Sequence, residues 1–271
     1  MRVPPIILSV AGHDPSSGAG ITADIKTAAS LGCYSVTCIT ALTIQSTQGV
    51  FGVQPLEPEL VARTLEALAD DVEIAAVRLG MLGSGAVAAA VAGFLEARRL
   101  PNVVLDPVIR SSSGVALLDA AGLDVLRGKL IRLCDVITPN VDEAAALVGA
   151  EPIAAGTSWD LALPQVRRLA AGLHDLGAKA VVITGGHLQP ANDYLGYRKS
   201  GEAKEQVIAG ERFKSRSTHG TGCAFATALA CRLALGDRLP EAVRAAKQYV
   251  RSAIFSAYPL GKGIGPINHF G

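Results

Sequence analysis

The segment THGTGC at residues 218–223 could bind an anion, because it places small residues at the start of a long apolar helix pattern. Gly220 and Gly222 leave the backbone unobstructed, while Thr221 and Cys223 add a hydroxyl and a thiol. Backbone N–H groups at a helix start carry partial positive charge and can hold a phosphate. The spacing fits equally well a tight turn in which Cys223 is only a small buried residue. No GxxxxGK[ST] segment occurs, so this would not be a P-loop.

A second group of polar residues lies where the strand pattern DVIT meets the helix pattern VDEAAAL. Asn140 and Glu143 are at this junction, and Asp106 ends another apolar strand pattern, VVLDPV. An ordinary helix start explains the first two, with Asn140 as the N-cap and Glu143 in the first turn. Alternatively, all three side chains hold a hydrated Mg²⁺ beside phosphates, since Mg²⁺ binds few protein oxygens and keeps several waters.

Two further polar residues could recognise a heteroaromatic ring. Asp24 lies in the first helix pattern and Gln45 follows the second strand pattern. A carboxylate and a carboxamide together offer the acceptors and donors that an aminopyrimidine edge requires. Each residue alone is better explained as a solvated polar side chain. The interpretation as a ring-binding pair therefore depends on the two residues occurring together.

The histidines and cysteines predict neither a metal site nor a disulfide framework. His13, His187 and His219 follow strand patterns but do not have the spacing of metal ligands on one helix. The five cysteines form no CxxC pair, and their number is odd. GxSxG and GxGxxG segments are absent from the contexts that acyl hydrolysis or dinucleotide chemistry would need.

Composition describes an ordinary globular chain. Hydrophobic residues make up 49% of the 271 residues and charged residues 18%, which excludes a disordered chain. With 25 Lys and Arg against 24 Asp and Glu, the net charge is +1, and no basic surface for nucleic acid or an anionic membrane is indicated. The longest uncharged stretch, residues 79–95, is broken by four glycines and is too short for a membrane span. We expect a soluble, cytoplasmic protein.

Strand patterns alternate with helix patterns over most of the chain. This alternation predicts an α/β fold with a central, mostly parallel sheet and helices on both faces. A more polar stretch at residues 194–213 is typical of a hairpin. No linker or repeat divides the chain, so we expect residues 1–271 to form a single domain. The glycine-rich and polar turns after the strands should meet at the carboxyl edge of the sheet, where ligands bind in such folds.

Taken together, these segments resemble the hydroxymethylpyrimidine/phosphomethylpyrimidine kinases, a branch of the ribokinase-like superfamily. The resemblance runs from about residue 8 to residue 270, in family order, through the stretches AGHDPSSGAGITADIKTAASLG, ITALTIQSTQGV, RLGMLGS, VVLDPV, VITPNVDEAAAL, THGTGCAFATALA and GKGIGPINHF. It implies a ribokinase-like fold and a homodimer. It also implies ATP- and Mg²⁺-dependent phosphorylation of 4-amino-5-hydroxymethyl-2-methylpyrimidine, and then of its monophosphate, in thiamine diphosphate biosynthesis.

The resemblance also assigns roles to residues. The pyrimidine pocket would be lined by Gly12, Asp24, Gln45, Met81 and Val108. The anion site would be formed by Gly220, Thr221, Gly222 and Cys223. The ATP side would include Asp106, Asn140, Glu143, Thr184, Gly186 and Lys247, with Glu143 and Asp106 organising the metal ion. We hypothesise that the Cys223 thiol, its pKa lowered at a helix N-terminus, accepts the proton of the hydroxymethyl group.

Two departures from the family pattern concern the second phosphorylation. Family members often carry lysine where this sequence has Ser112, with Arg110 nearby, and also where it has Arg78. The absence of this lysine predicts that the second phosphorylation, that of the monophosphate, is less efficient. A pyridoxal or pyridoxine kinase of the same fold is an alternative, because its substrates share the size and the hydroxymethyl group. The alternative from another class is a catalytically silent ligand-binding protein. We also expect the loop at residues 111–114 to close over the pocket.

Overall fold

A nine-stranded sheet organises the molecule. The computed structural model describes residues 3–111, 113–213 and 215–270. The strands of the sheet are β1 (Ile6–His13), β2 (Tyr34–Ser46), β3 (Gly49–Pro55), β4 (Ile74–Leu79), β5 (Val103–Leu105), β6 (Val136–Ile137), β7 (Ala180–Ile183), β8 (Asp193–Lys199) and β9 (Glu202–Ile208). Their order is β3-β2-β1-β4-β5-β6-β7-β8-β9. The six strands from β2 to β7 in this order pair in parallel, while β3, β8 and β9 are antiparallel.

Helices connect the strands and cover the sheet. They are α1 (Gly20–Ser30), α2 (Pro58–Asp71), α3 (Gly85–Arg98), α4 (Ala120–Val125), α5 (Ile131–Leu133), α6 (Val141–Val148), α7 (Trp159–Asp175), α8 (Thr221–Ala234) and α9 (Leu239–Phe255), with a π-helical turn at Leu126–Leu130 between α4 and α5. A small parallel pair, β10 (Ser217–His219) and β11 (Gly265–Pro266), lies outside the main sheet. None of the helices in the described part of the chain is long and apolar enough to cross a membrane.

Two hydrophobic cores show why both faces of the sheet are covered. Successive strand residues point to opposite faces, so Leu8 and Leu105 pack with helices α2, α3, α6 and α7, whereas Ile7 and Val104 pack with α1, α8 and α9. The central strands are buried on both faces and therefore read as continuous apolar runs rather than as alternating patterns. The predicted fold class is confirmed, with its mostly parallel sheet and helices on both faces.

The edges of the sheet differ most from the sequence predictions. Strand β2 is longer than its predicted apolar segment and is only partly buried. Strand β3, the outermost strand next to β2, was not predicted, because its sequence GVFGVQP contains two glycines and alternates weakly. The predicted hairpin is present as β8 and β9. The short pair β10–β11 joins segments 46 or more residues apart in sequence, and local pattern cannot reveal such a pairing.

Candidate active site

One cavity lies along the carboxyl ends of the parallel strands. Its volume is about 1820 Å³, enough for a nucleotide together with a small ring. The structure brings to its wall nearly all residues predicted for the site: Gly12, Gln45, Met81, Asp106, Val108, Asn140, Glu143, Thr184, Gly186, Gly220, Thr221, Gly222, Cys223 and Lys247. Asp24 is the exception. The predicted convergence of the glycine-rich turns at this edge is therefore observed.

The anion site, residues 220–223, is the open N-terminus of α8. Gly220 is the N-cap residue, with φ of 84°, and it contributes no side-chain cap. A Cβ at Gly220 would lie 1.8 Å from the carbonyl oxygen of Gly18, so both conformation and space require glycine. A Cβ at Gly222 would lie 4.0 Å from Asp106 Oδ2, which puts the helix start beside this carboxylate. The first amides of the 14-residue helix α8 thus face the cavity.

Two acidic side chains face the same part of the cavity, and their surroundings disfavour the charged form. Burial raises the pKa of Asp106 to about 6, although the Arg78 guanidinium opposes this. Burial also raises the pKa of Glu143 to about 8, and the Asp106 carboxylate adds to the effect. The backbone N–H groups of Asn140 and Ile109 donate to Glu143 and partly compensate. A cation bound between the two carboxylates would reverse both shifts.

Asn140 and Glu143 form a capping box at the start of α6. The Glu143 N–H donates to Asn140 Oδ1 at 2.9 Å, and the Asn140 N–H donates to Glu143 Oε2 at 2.9 Å. The interpretation of Asn140 and Glu143 as an ordinary helix start is therefore confirmed. A second role at a ligand is compatible with it, because both residues also line the cavity. Glu143 Oε1 is not used by the box, so the carboxylate can still face a cation.

The donor set fits Mg²⁺ better than a metal held only by protein. Among residues 3–111, 113–213 and 215–270, no three His, Cys, Asp or Glu side chains cluster as a metal cage. Mg²⁺ does not need such a cage, because it takes one or two carboxylates and fills its octahedron with waters and phosphate oxygens. Asp106 is buried and Glu143 half-buried. The Asp106 carboxylate raises the pKa of Glu143, and a divalent cation beside the two groups would relieve this effect.

The structure corrects the prediction for Asp24. This residue is fully buried and does not line the cavity. Its carboxylate accepts hydrogen bonds from the hydroxyls of Ser9 and Thr227, and Arg78 Nη1 lies 3.3 Å from Asp24 Oδ2. Both carboxylate oxygens are thus used inside the protein, so Asp24 supports β1 and α8 rather than the ring of a ligand. Pattern alone could not show that its helix face turns inward.

Arg78, one of the two departures from the family pattern, lies behind the cavity wall. Its guanidinium is fully buried, and Nη2 donates to Asp106 Oδ2 at 2.8 Å. Together with the contact to Asp24, this makes Arg78 the centre of a buried charge network behind the cavity wall. Arg78 therefore orients Asp106 and does not meet a ligand phosphate directly. Ser112, the other departure from the family pattern, lies outside the described residues.

The lowered pKa expected for the Cys223 thiol is wrong. Burial raises the pKa of the Cys223 thiol to about 11, Arg78 opposes this, and the carboxylates of Asp106 and Asp24 add to it. At neutral pH the thiol is thus protonated, although its position at the wall beside the anion site is as predicted.

Lys247 is held at the far side of the cavity by the loop before β8. Its Nζ lies 2.7 Å from Asp193 Oδ2 and donates to the carbonyl oxygen of Ala191 at 2.8 Å. Asp193 Oδ1 in turn accepts from the N–H of Gly185, in the turn after β7. Lys247 therefore ties α9 to the segment that includes Thr184, and its ammonium group already has partners.

A polar network around Gln45 was not predicted from the sequence. His219 Nε2 lies 2.7 Å from Asp14 Oδ2 and 3.1 Å from Gln45 Nε2, and Gln45 Oε1 lies 3.2 Å from Thr43 Oγ1. The carboxylate of Asp14 also accepts from the backbone N–H of Ser16, Gly18 and Ala19, which orders the loop after β1. Only Asp14 directly follows a strand of the main sheet, β1. Gln45 lies inside β2 and not after it as predicted, because β2 extends to Ser46, and His219 ends β10 outside the main sheet. Local pattern therefore gave no signal for this network.

The loop expected to close over the pocket includes Ser112, which lies outside the described residues, and hydrogen bonds join its described residues. Within it the Gly114 N–H donates to the Ser111 carbonyl at 2.9 Å, and the side chains of Ser111 and Ser113 are 2.9 Å apart. Arg110 Nη1 donates to the Gly114 carbonyl at 3.3 Å. Ser111 and Gly114 both line the cavity. Closure of this loop stays a prediction.

Comparison with known proteins agrees with this geometry. The family model for phosphomethylpyrimidine kinase matches residues 14–268. The hydroxymethylpyrimidine/phosphomethylpyrimidine kinase of Streptomyces coelicolor is 42% identical over 266 residues, which cover 98% of this chain and 94% of the relative. A thiamine biosynthesis bifunctional protein of Geobacter sulfurreducens is 42% identical over 263 residues, but the chain, covered to 97%, spans only 52% of that longer protein.

Solved structures of two kinds are similar to this fold. The pyridoxal kinase of Bacillus subtilis, in an ADP complex, matches with a TM-score of 0.85 and 32% identity, covering 98% of this chain and 97% of that one. The phosphomethylpyrimidine kinase of Clostridium difficile matches with a TM-score of 0.78 and 33% identity, covering 92% of this chain and 99% of that one. The fold is thus ribokinase-like, and by the extent of the sequence match the chain belongs to the phosphomethylpyrimidine kinase family.

Proposed function

We propose that this protein transfers a phosphoryl group from ATP to the hydroxymethyl group of 4-amino-5-hydroxymethyl-2-methylpyrimidine, in thiamine diphosphate biosynthesis. What supports this most is that one cavity contains both a carboxamide suited to a ring edge, Gln45, and an open helix N-terminus beside the carboxylate of Asp106. Relatives that match almost the whole chain carry this kinase activity in their names. We treat residues 1–271 as one kinase domain that works in the cytoplasm, where ATP is abundant.

The pyrimidine lies, in this proposal, between the residues at the β1 and β4 side of the cavity. Met81 and Val108 offer apolar surface to the ring faces, and Gly12 keeps space open, since a Cβ there would lie 2.8 Å from the Met81 sulfur. Gln45 supplies one donor and one acceptor to the polar edge of the ring. The hydroxymethyl group then points toward the anion site.

The anion site and the acidic pair act on the transferring group. The amides of Thr221, Gly222 and Cys223 stabilise the negative charge that the phosphoryl oxygens carry in transit. Asp106 and Glu143 would hold Mg²⁺, which when bound would neutralise phosphate charge and align the phosphoryl donor. Because the Cys223 thiol is neutral in the free protein, we assign its main contribution to the backbone amide. Phosphoryl transfer depends on positioning and charge stabilisation more than on a strong base.

The nucleotide occupies the side of the cavity formed by Thr184, Gly186 and Asn140. Lys247 shapes this side through its contacts with Asp193 and Ala191. The pyridoxal kinase of Bacillus subtilis, an ADP complex of similar fold, supports ATP as the donor. No lysine is available at position 112 or 78, and Arg78 is buried, so we propose that the monophosphate is phosphorylated more slowly than the alcohol.

A vitamin B6 kinase is the second candidate, because solved pyridoxal kinases have TM-scores of 0.84 to 0.86 with this chain. An ADP-release assay with the hydroxymethylpyrimidine, its monophosphate and pyridoxine separates the candidates. We expect the highest kcat/KM with the pyrimidine alcohol and a lower one with its monophosphate. A higher value with pyridoxine would favour the B6 kinase, and no ADP with any substrate would favour a silent ligand-binding protein.

We also propose a homodimer formed through the β2–β3 edge of the sheet. Leu42 and Ile44 are two residues apart on β2 and therefore share a face, and Ile44 is 70% exposed. The outer edge of β3 has no strand partner within the described ranges. Light scattering after size-exclusion chromatography should give a dimer for the wild type and a monomer for Ile44→Asp. Leu161→Asp, a change at an exposed leucine on α7, should remain dimeric. A monomeric wild type would refute this proposal.

A further inference from the structure

The hydrogen bonds around Gln45 fix which way its carboxamide points. His219 Nε2 has two close neighbours, Asp14 Oδ2 at 2.7 Å and Gln45 Nε2 at 3.1 Å. A single ring nitrogen cannot donate to the carboxylate and also accept from the amide. If His219 Nε2 donates to Asp14, the Gln45 atom that faces it must be an acceptor. That atom is then the carboxamide oxygen and not the amide nitrogen.

The Asp14 carboxylate decides where the proton of His219 lies. Burial works against its charge, but hydrogen bonds from His219 and Ser16 outweigh this and lower the pKa of Asp14. The backbone N–H groups of Gly18 and Ala19 also donate to Asp14 Oδ2. An ionised carboxylate only accepts, so His219 Nε2 carries the hydrogen and donates it to Asp14. An amide nitrogen next to this N–H would place two donors against each other.

The other end of the carboxamide leads to the same result. Thr43 Oγ1 lies 2.9 Å from the carbonyl oxygen of His13 and 3.2 Å from Gln45 Oε1. The hydroxyl has one hydrogen, and the shorter contact, to a carbonyl that cannot donate, uses it. Thr43 Oγ1 therefore has only lone pairs left for Gln45 and requires a donor there, whereas an amide oxygen would oppose another acceptor.

We propose that Asp14, His219 and Thr43 are positioning residues that hold the Gln45 carboxamide with its oxygen toward His219 and its nitrogen toward Thr43. A half-turn about the last side-chain bond exchanges the two ends with almost no change in shape, and hydrogen bonding decides between them. In this orientation the His219 N–H is shared between Asp14 and Gln45 as a three-centre bond. Every donor then meets an acceptor.

The fixed carboxamide also sets the ligand edge that the cavity accepts. It leaves one lone pair on the oxygen at the His219 side and one N–H on the nitrogen at the Thr43 side. A ring that carries an amino group next to a ring nitrogen matches both, with the amino group at the His219 side. In pyridoxine a methyl-bearing carbon separates the ring nitrogen from the phenol, so the same pairing is impossible. This inference rests on the proposed pyrimidine kinase function.

Thr43→Val is the sharpest test, because it removes the acceptor with little change in shape. We expect the KM of the aminopyrimidine to rise about 3- to 10-fold, the effect of one neutral hydrogen bond, with kcat within about 2-fold and the KM of pyridoxine unchanged. Thr64→Val is the matched control, because the Thr64 hydroxyl also donates to a backbone carbonyl but lies on α2, outside the cavity wall, and it should change neither KM. Equal changes for both substrates, or no change for the aminopyrimidine, would overturn the proposal.

A measurement without substrate separates this proposal from the proposed function. Histidine ¹⁵N NMR at neutral pH, assigned with His219→Gln, should show Nε2 of His219 as the protonated nitrogen in the wild type. In Thr43→Val the side-chain amide signals of Gln45 should broaden or double as the second orientation becomes populated. An unprotonated Nε2 would refute the orientation even if the pyrimidine is a good substrate. A protonated Nε2 with an unaltered Gln45 signal in Thr43→Val would also refute it.

Discussion

Gly222→Ala should lower the activity and leave the stability of the fold nearly unchanged. Gly222 lies in the first turn of α8, and its backbone conformation is one that alanine adopts readily. The nearest atom to an added Cβ is Asp106 Oδ2 at 4.0 Å, an ordinary contact. Alanine is favoured over glycine in a helix by about 0.5–1 kcal/mol, and a first-turn position gains no more than this. The fold should therefore tolerate the change.

The same methyl group should impair phosphoryl transfer. It would occupy the space between the α8 amides and Asp106, where the transferring group and its metal ion are proposed to lie. A displacement on the order of 1 Å at a reacting centre can lower the rate on the order of 10²-fold. We expect kcat/KM in the ADP-release assay to fall by about that factor, while the melting temperature stays within about 2 °C of the wild type.

Two other glycines provide the controls. Gly93 lies in the middle of α3 with open space around its Cα, so Gly93→Ala should raise the melting temperature by about 1–3 °C without changing kcat/KM. Gly220→Ala should destabilise the fold by at least about 1–2 kcal/mol, because of its positive φ and the Gly18 carbonyl. If Gly222→Ala kept the wild-type kcat/KM, the phosphoryl group would not lie at the start of α8.

Other changes test the buried charges. Arg78→Met leaves two buried carboxylates, Asp24 and Asp106, without their partner, so the free energy of unfolding in urea should fall by about 3–5 kcal/mol; an unchanged value would contradict the network. Because burial raises the pKa of the Cys223 thiol to about 11, iodoacetamide should label Cys223 slowly at neutral pH and faster as the pH rises, followed by peptide mass spectrometry; a flat profile would count against a neutral thiol. The pKa of Asp14 is lowered in the folded protein from its ordinary value of 3.8. The ionised carboxylate therefore stabilises the fold at pH values above 3.8, and this stabilisation is lost as the pH falls through the lowered pKa. The melting temperature of the wild type should thus drop more steeply below about pH 4 than that of Asp14→Asn, and parallel curves would contradict this.

Local pattern predicted the elements that carry their own signals. The parallel strands are continuous apolar runs, and α6 begins at an N-cap, Asn140, with Glu143 three residues later, as its capping box requires. The antiparallel hairpin followed from a stretch with a more polar composition. Strand β3 was missed because two glycines weaken its pattern, and β10–β11 was missed because it joins distant segments.

The residues predicted for the site meet in one cavity, apart from Asp24, but the surroundings of Asp24 and Cys223 differ from those expected. Gln45, near the end of β2, and Asp106, directly after β5, meet in one cavity because these strands end at the same edge of the sheet, and the glycines of α8 line the same cavity. Asp24 was assigned to the ligand because a carboxylate suits an aminopyrimidine, but its helix face is turned toward Arg78. A low pKa was expected for the Cys223 thiol from the helix start alone, whereas burial raises the pKa of this thiol to about 11.

Sequence by itself determined the fold class, the order of the elements and the residue types available at the carboxyl edge, since apolar periodicity and turn residues act over a few positions. Only the tertiary structure decided which polar atoms are hydrogen-bonded to each other and which are excluded from solvent. Asp14, His219 and Gln45 come from segments as far as 205 residues apart, yet adjacent atoms lie within about 3 Å. Hydrogen bonds and pKa values depend on such distances and on exclusion of solvent, and packing of the whole chain sets both.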